Sequence, residues 1–193
     1  VILDEWLKVN GRDFDVYTEI FTPEICYPLL EHYGIKPMPV HLLYEEGMKT
    51  ERTIIWDRHG IVICPYLPDR DGMFQGLYLA QALCRNNLDW IKLTGNITNI
   101  TGTRHYEHKS LSLDSGSWDR KRSAMLEEIR SAAAEDPDEV FESDQDIKIV
   151  FRSRSWLGFS YCSKENSLFL YCDAVSRQKA DEIMSGVINW LTA

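Results

Sequence analysis

His105-Tyr106-Glu107-His108 is the densest group of metal-capable side chains in the chain. On a helix His105 and His108 would share a face three residues apart, whereas on a strand His105 would share a face with Glu107. Imidazoles with a carboxylate suit zinc or a related transition metal. The pair of histidines lacks the HExxH spacing of a metalloprotease helix, so His105 and His108 stand as metal candidates without a metal being assigned, and no cofactor is expected. Asp57 and His59 flank a turn at Gly60 and could act as an acid–base pair, with Glu107 as a further candidate carboxylate. None of the phosphate-cradling motifs GxGxxG or GxxxxGK[ST] occurs, nor does a GxSxG nucleophile elbow.

A second feature is charge. Between Glu135 and Asp146 seven residues are acidic, among them Glu135, Asp136, Asp138, Glu139, Glu142 and Asp144. This run reads as a solvated linker, and in its sharper form as a binding segment that steers a basic partner. The five cysteines, Cys26, Cys64, Cys84, Cys162 and Cys172, are odd in number, form no CxxC pair and lie in apolar stretches. Buried thiols in a reducing compartment fit them better than a disulfide framework or a nucleophile.

The 193 residues are 44% hydrophobic, 11% aromatic and 26% charged, with 21 Lys+Arg against 30 Asp+Glu and a formal charge of -9. That composition belongs to a globular chain and not to a disordered one. The acidic balance speaks against nucleic acid as a partner. No apolar run approaches the roughly 18 residues of a spanning helix. No membrane role and a cytoplasmic location are the expectation. Asp4, Glu5 and Lys8 interrupt the opening apolar stretch, so it does not read as a signal peptide.

The elements that would position these residues can be read from periodicity and punctuation. Thr22-Pro23-Glu24 opens a helix that Gly34 stops. Three strands follow over Val40–Glu45, Arg52–Asp57 and Ile61–Tyr66, with Gly60 in the hairpin between the last two. Met73–Arg85 is apolar nearly all round and reads as a buried helix. Two strands are expected next, Trp90–Thr94 and another ending near Leu113, and then a helix capped by Ser117. Beyond the acidic run, Ile147, Ile149 and Phe151 alternate with polar residues as a strand. Trp156–Cys162 and Leu168–Cys172 form a hairpin. Ala180, Ile183, Met184, Val187, Ile188 and Leu191 recur at helical spacing. The expected fold is α+β: antiparallel sheets with helices on one face, in the order α-βββ-α-ββ-α and then βββ-α. The expected division is a domain over 1–134, a linker over 135–146 and a βββα extension over 147–193 packing on the first part.

The order of elements over Pro23–Tyr33, Val40–Tyr66, Met73–Asn86, Trp90–Leu113 and Ser117–Ala134 resembles the secretion-chaperone fold shared by type III secretion chaperones and the YbjN family. Leu83-Cys84-Arg85-Asn86-Asn87 resembles the end of that family's buried helix. The resemblance covers roughly two thirds of the chain. It implies a scaffold without catalytic residues that dimerises or binds a partner. The leading expectation is a non-enzymatic protein-binding module, either a chaperone-like adaptor or an immunity-type protein that masks another protein. Its partner would be a protein, a basic one by charge complementarity, with a homodimer as a further option. The alternative is a small metal-dependent hydrolase built on the His105–His108 region, but the balance is against an enzyme.

Overall fold

The computed structural model describes residues 1–11, 13–45, 52–58, 60–64, 72–86, 89–133, 135–143 and 145–193. It divides into two compact units, Val1–Gly102 and Thr103–Ala193. The fold class is α+β, as the sequence patterning implies.

The first unit opens with α1 (Ile2–Asn10), which presents Leu3, Trp6 and Leu7 to the core. Its Asp4 and Glu5 are also buried, and both are held by Lys8, at 2.7 and 2.9 Å. Then come β1 (Asp15–Thr18), α2 (Cys26–His32), the two-residue β2 (Met38–Pro39) and α3 (Val40–Glu45). β3 (Thr53–Asp57) and β4 (Gly60–Cys64) form the hairpin expected around Gly60, whose φ of 139° is one that a side chain would strain. Gly34 ends α2 as expected: at φ 71° it lets Ile35 N return to Leu30 O at 2.9 Å. α4 (Gly72–Asn86) and α5 (Trp90–Thr101) complete the unit. Its sheet runs β2-β1-β3-β4. β1 lies parallel to both β2 and β3, and β3 is antiparallel to β4. The core gathers Leu3, Trp6, Val16, Leu29, Leu30 and Ile54 with their neighbours.

Several elements here differ from the sequence expectation. Val40–Glu45 is a helix and not a strand. Trp90–Thr94 is the first part of α5, not a strand, because Asp89 accepts a hydrogen bond from Lys92 N at 2.8 Å and caps a helix that buries Leu93 and Ile97. The β-favouring Thr and Ile content is overridden by that cap and that packing. α4 is buried on one side only: Phe74 and Tyr78 pack toward Trp6, while Met73 and Leu77 are 78% and 66% exposed.

The second unit contains β5 (His105–Ser112), α6 (Ser115–Ala132), β6 (Pro137–Glu142), β7 (Asp146–Phe151), β8 (Trp156–Cys162), β9 (Ser167–Ala174) and α7 (Arg177–Thr192). The sheet order is β5-β9-β8-β7-β6, antiparallel throughout. One face carries Ile147, Ile149, Leu157, Phe159, Leu168 and Leu170, and it packs on α6 and α7. The helix expected from Ala180 to Leu191 is α7, opened by Ser176, which accepts from Lys179 N at 3.2 Å. α6 begins earlier than expected: Asp114 is its cap, accepting from both the N–H and the hydroxyl of Ser117 at 2.9 and 2.7 Å. The stretch read as an acidic linker is strand β6, paired with β7 along the edge of the sheet. The boundary between the units falls instead at Gly102, the C-cap of α5.

Candidate functional site

β1 is where the chain reverses its direction of travel across the first sheet. It leaves β1 through α2 to β2 on one side, then passes through α3 to β3 on the other. In open sheets with parallel strands, connections that diverge in this way leave a crevice beyond the carboxyl ends of the strands, and ligands bind there. In this chain that position falls at the segment after β1, Glu19 to Thr22, and the end of β3, Trp56 to Arg58.

Hydrogen bonds tie the two segments together. Glu19 Oε1 accepts from Arg58 N at 2.7 Å and lies 3.3 Å from Arg58 Nε. The Thr22 hydroxyl donates to Trp56 O at 2.7 Å and accepts from Glu19 N at 3.0 Å. Asp57 Oδ1 accepts from Gly60 N at 3.1 Å, and the Arg58 guanidinium sits 4.9 Å over the Phe21 ring. Tyr27, one residue into α2, is hydrogen-bonded to Thr18. Burial pushes its phenol up to about 12, an effect the Thr18 bond only partly offsets, so it is a neutral donor at physiological pH. Tyr27 also lines an open cleft of about 360 Å³ with Glu31, Gly34, Ile35, Lys36 and Pro37. Two carboxylates and a guanidinium at these strand ends, with the Tyr27 phenol beside them, suit a polar ligand with many hydroxyl groups. Each such group needs a donor or acceptor when it leaves water.

The sequence candidates are scattered relative to this crevice. Asp57 lies in it and is buried, and His59 falls outside the described residues. His105, Glu107 and His108 lie on β5. His105 Nε2 is 3.9 Å from Glu107 Oε2, and Lys109 Nζ is 3.1 Å from Glu107 Oε1. His108 points to the opposite face and stacks on Tyr171 at 6.4 Å. Strand alternation thus separates the two histidines, and the described residues contain no group of three or more His, Cys, Asp or Glu side chains able to hold a metal ion.

The acidic candidates act mostly within the fold. Glu135 accepts from Ser153 N at 2.7 Å and pairs with Lys179 at 3.0 Å. Asp136 lies 4.0 Å from Arg152, and Glu142 pairs with Arg122 at 2.6 Å. Asp138 and Glu139 are exposed on β6, and Asp144 falls outside the described residues. Glu19 and Arg58 carried no sequence signal, and Thr22, expected to cap a helix, instead bonds Trp56 O and Glu19 N, while α2 begins at Cys26 without a side-chain cap. Only the strand order brings these residues together, and no local motif announces it.

No protein-family model matches this sequence, and no curated protein matches it either. Solved structures do. The chain is similar to the exocytosis-sensitive phosphoprotein parafusin, a phosphoglucomutase from Paramecium, with a TM-score of 0.64 at 12% identity over 98% of this chain and 39% of that one. It is similar also to a phosphoglucomutase/phosphomannomutase family protein from Burkholderia thailandensis, with a TM-score of 0.58 at 12% identity over 99% of this chain and 40% of that one. The chain spans about two fifths of the length of these proteins. This likeness corrects the resemblance to the secretion-chaperone fold, whose meander-first order the parallel β2-β1-β3 arrangement also breaks. The reading as a non-enzymatic chaperone-like or immunity-type module and the balance against an enzyme are corrected with it, since the solved structures that share this fold are phosphoglucomutase-family enzymes. Among the described residues no helix is long and apolar enough to cross a membrane. At 12% identity, what the comparisons establish is a shared fold that runs through both units of the chain.

Proposed function

We propose that this chain is the sugar-recognising part of a mutase-like enzyme acting on a hexose phosphate, with its ligand in the crevice beyond β1 and β3. The observation that carries the reading is the backbone likeness to a phosphoglucomutase across 98% of the chain. The crevice chemistry supports it. Glu19 and Asp57 can accept from sugar hydroxyls, Tyr27 offers a hydroxyl of its own, and Arg58 supplies a planar donor fork for phosphate or hydroxyl oxygens. Because the chain covers only two fifths of those enzymes, recognition, and not the full reaction, is the share assigned to these residues.

The test is titration of the chain with glucose 1-phosphate, mannose 1-phosphate, glucose and inorganic phosphate, followed by calorimetry and melting temperature. A ligand at a hundred times its Kd adds about 2.7 kcal/mol to the folded state. Saturable binding of a hexose phosphate, weakened in Glu19→Gln and Arg58→Gln variants that still melt cooperatively, is the expected result. Equal binding by both variants, or no hexose phosphate binding at millimolar concentration, would overturn it.

A further inference from the structure

β6 ends the five-stranded sheet, so among the described residues one row of its backbone groups faces no neighbouring strand. The turn to β7 is closed by Ser143 N donating to Asp146 O at 2.8 Å, and ladder pairs alternate from that point. By that alternation Glu139 and Phe141 bond inward to β7, while Val140 and Glu142 turn their N–H and C=O groups outward. Such an edge is a template for another extended chain. Val140 and Phe141 point to opposite faces and are 41% and 47% exposed, giving an incoming strand an apolar contact on either side. Asp138 and Glu139 are exposed beside them.

These charges select the occupant. Two copies meeting edge to edge would set carboxylate against carboxylate, which opposes self-pairing, whereas a strand with lysine or arginine at alternate positions sets opposite charges across the new ladder. We propose that β6 is a docking edge that takes an extended, basic segment of another protein as an added strand. The proposal does not rest on the hexose phosphate reading, and its test needs no sugar ligand.

The probe is a fluorescein-labelled octapeptide of alternating lysine and valine, with a glutamate–valine peptide as control, read by fluorescence anisotropy. Expected are saturable binding of the basic peptide alone and a loss of about ten-fold or more in affinity when salt rises to about 0.5 M. Val140→Pro removes an outward N–H and leaves the ladder to β7 intact, since an edge strand tolerates proline there, and it should weaken binding about ten-fold or more. Asp138→Asn with Glu139→Gln should weaken binding and flatten the salt dependence. If the proline variant fails to fold, hydrogen exchange on the unaltered chain decides, through peptide-induced protection of the Val140 and Glu142 amides. Absence of binding at low salt, unchanged affinity in both variants, or no added amide protection would overturn the proposal. So would self-association of the chain that Val140→Pro abolishes, because the occupant would then be a second copy.

Discussion

Glu135 gives the sharpest test of how the second unit holds together. Its carboxylate accepts from Ser153 N in the turn between β7 and β8 at 2.7 Å and pairs with Lys179 of α7 at 3.0 Å, with its side chain 15% exposed. Burial alone would raise its pKa, but the Ser153 bonds and the Lys179 charge outweigh that and hold it below the ordinary 4.5. A hydrogen bond to a charged acceptor contributes about 1.5–3 kcal/mol. The partly exposed ion pair adds up to about 1 kcal/mol. Glu135→Ala should therefore cost about 2–3 kcal/mol. At about 4–8 °C per kcal/mol for a unit of this size, that is a fall of roughly 10–20 °C in its melting transition. Glu135→Gln keeps an acceptor for Ser153 and should cost about 1 kcal/mol.

The pH dependence has a definite sign. A carboxylate with a depressed folded pKa contributes stability that is complete above its unfolded value and is lost as pH falls through the folded one. The gap between the native chain and Glu135→Gln should thus be full at pH 7 and close as pH falls below 4.5 and through the depressed folded value. Melting followed by circular dichroism, with amide exchange in β7 and β8 to locate the transition, measures both effects. A Glu135→Ala chain that melts within about 2 °C of the native one would refute the reasoning, since about 0.5 kcal/mol or less would then rest on the bonds.

Three further outcomes are expected. Lys8→Met removes the ammonium that pairs with the buried Asp4 and Glu5; because Lys8 is itself partly exposed, the loss should be about 1–2 kcal/mol rather than the 3–5 of a fully buried pair. Burial pulls the Lys8 ammonium down, but Asp4 and Glu5 hold it above 10.5, so its contribution is present below that pH and fades as pH rises through the folded value, which melting curves across the alkaline range will show. Ile183→Ala, at a fully buried position on α7, should cost about 2–5 kcal/mol, against about 0.5–1.5 for Ile183→Val, read from denaturant midpoints. Burial pushes the Cys172 thiol up to about 12 and raises Cys26 further. Iodoacetamide at pH 8 should therefore label Cys84 and Cys162 in the folded chain and reach Cys26 and Cys172 only in denaturant, as mass spectrometry can count.

What could be read in the sequence was what local periodicity and caps encode. The alternation Ile147-Lys148-Ile149, the hairpin of β8 and β9, and the three-and-four spacing of α7 stand in the structure where the pattern puts them. Each is long enough for one face to be distinguished from the other. Gly34 and Gly60 likewise mark their turns, because their φ angles are ones that other residues avoid. Shorter stretches were not decided locally. Val40–Glu45 and Trp90–Thr101 carry residues that suit a strand, and it was capping and burial of Leu93 and Ile97 that made the second a helix. The acidic run hid a strand because the exposed edge of a sheet has no buried face to leave an apolar signature.

The candidate site belongs wholly to the tertiary level. Asp57 was visible as a chemically capable residue beside a turn, but Glu19 and Thr22 lie far from Arg58 in sequence and carry no motif shared with it. They meet because β1 takes β2 on one side and β3 on the other, and that strand order is fixed by pairing between distant segments. By itself the sequence determined which residues could turn inward and where the chain must turn. Which ends of which strands face one crevice was settled only when those segments paired, since the period of a strand specifies its faces and not its neighbours.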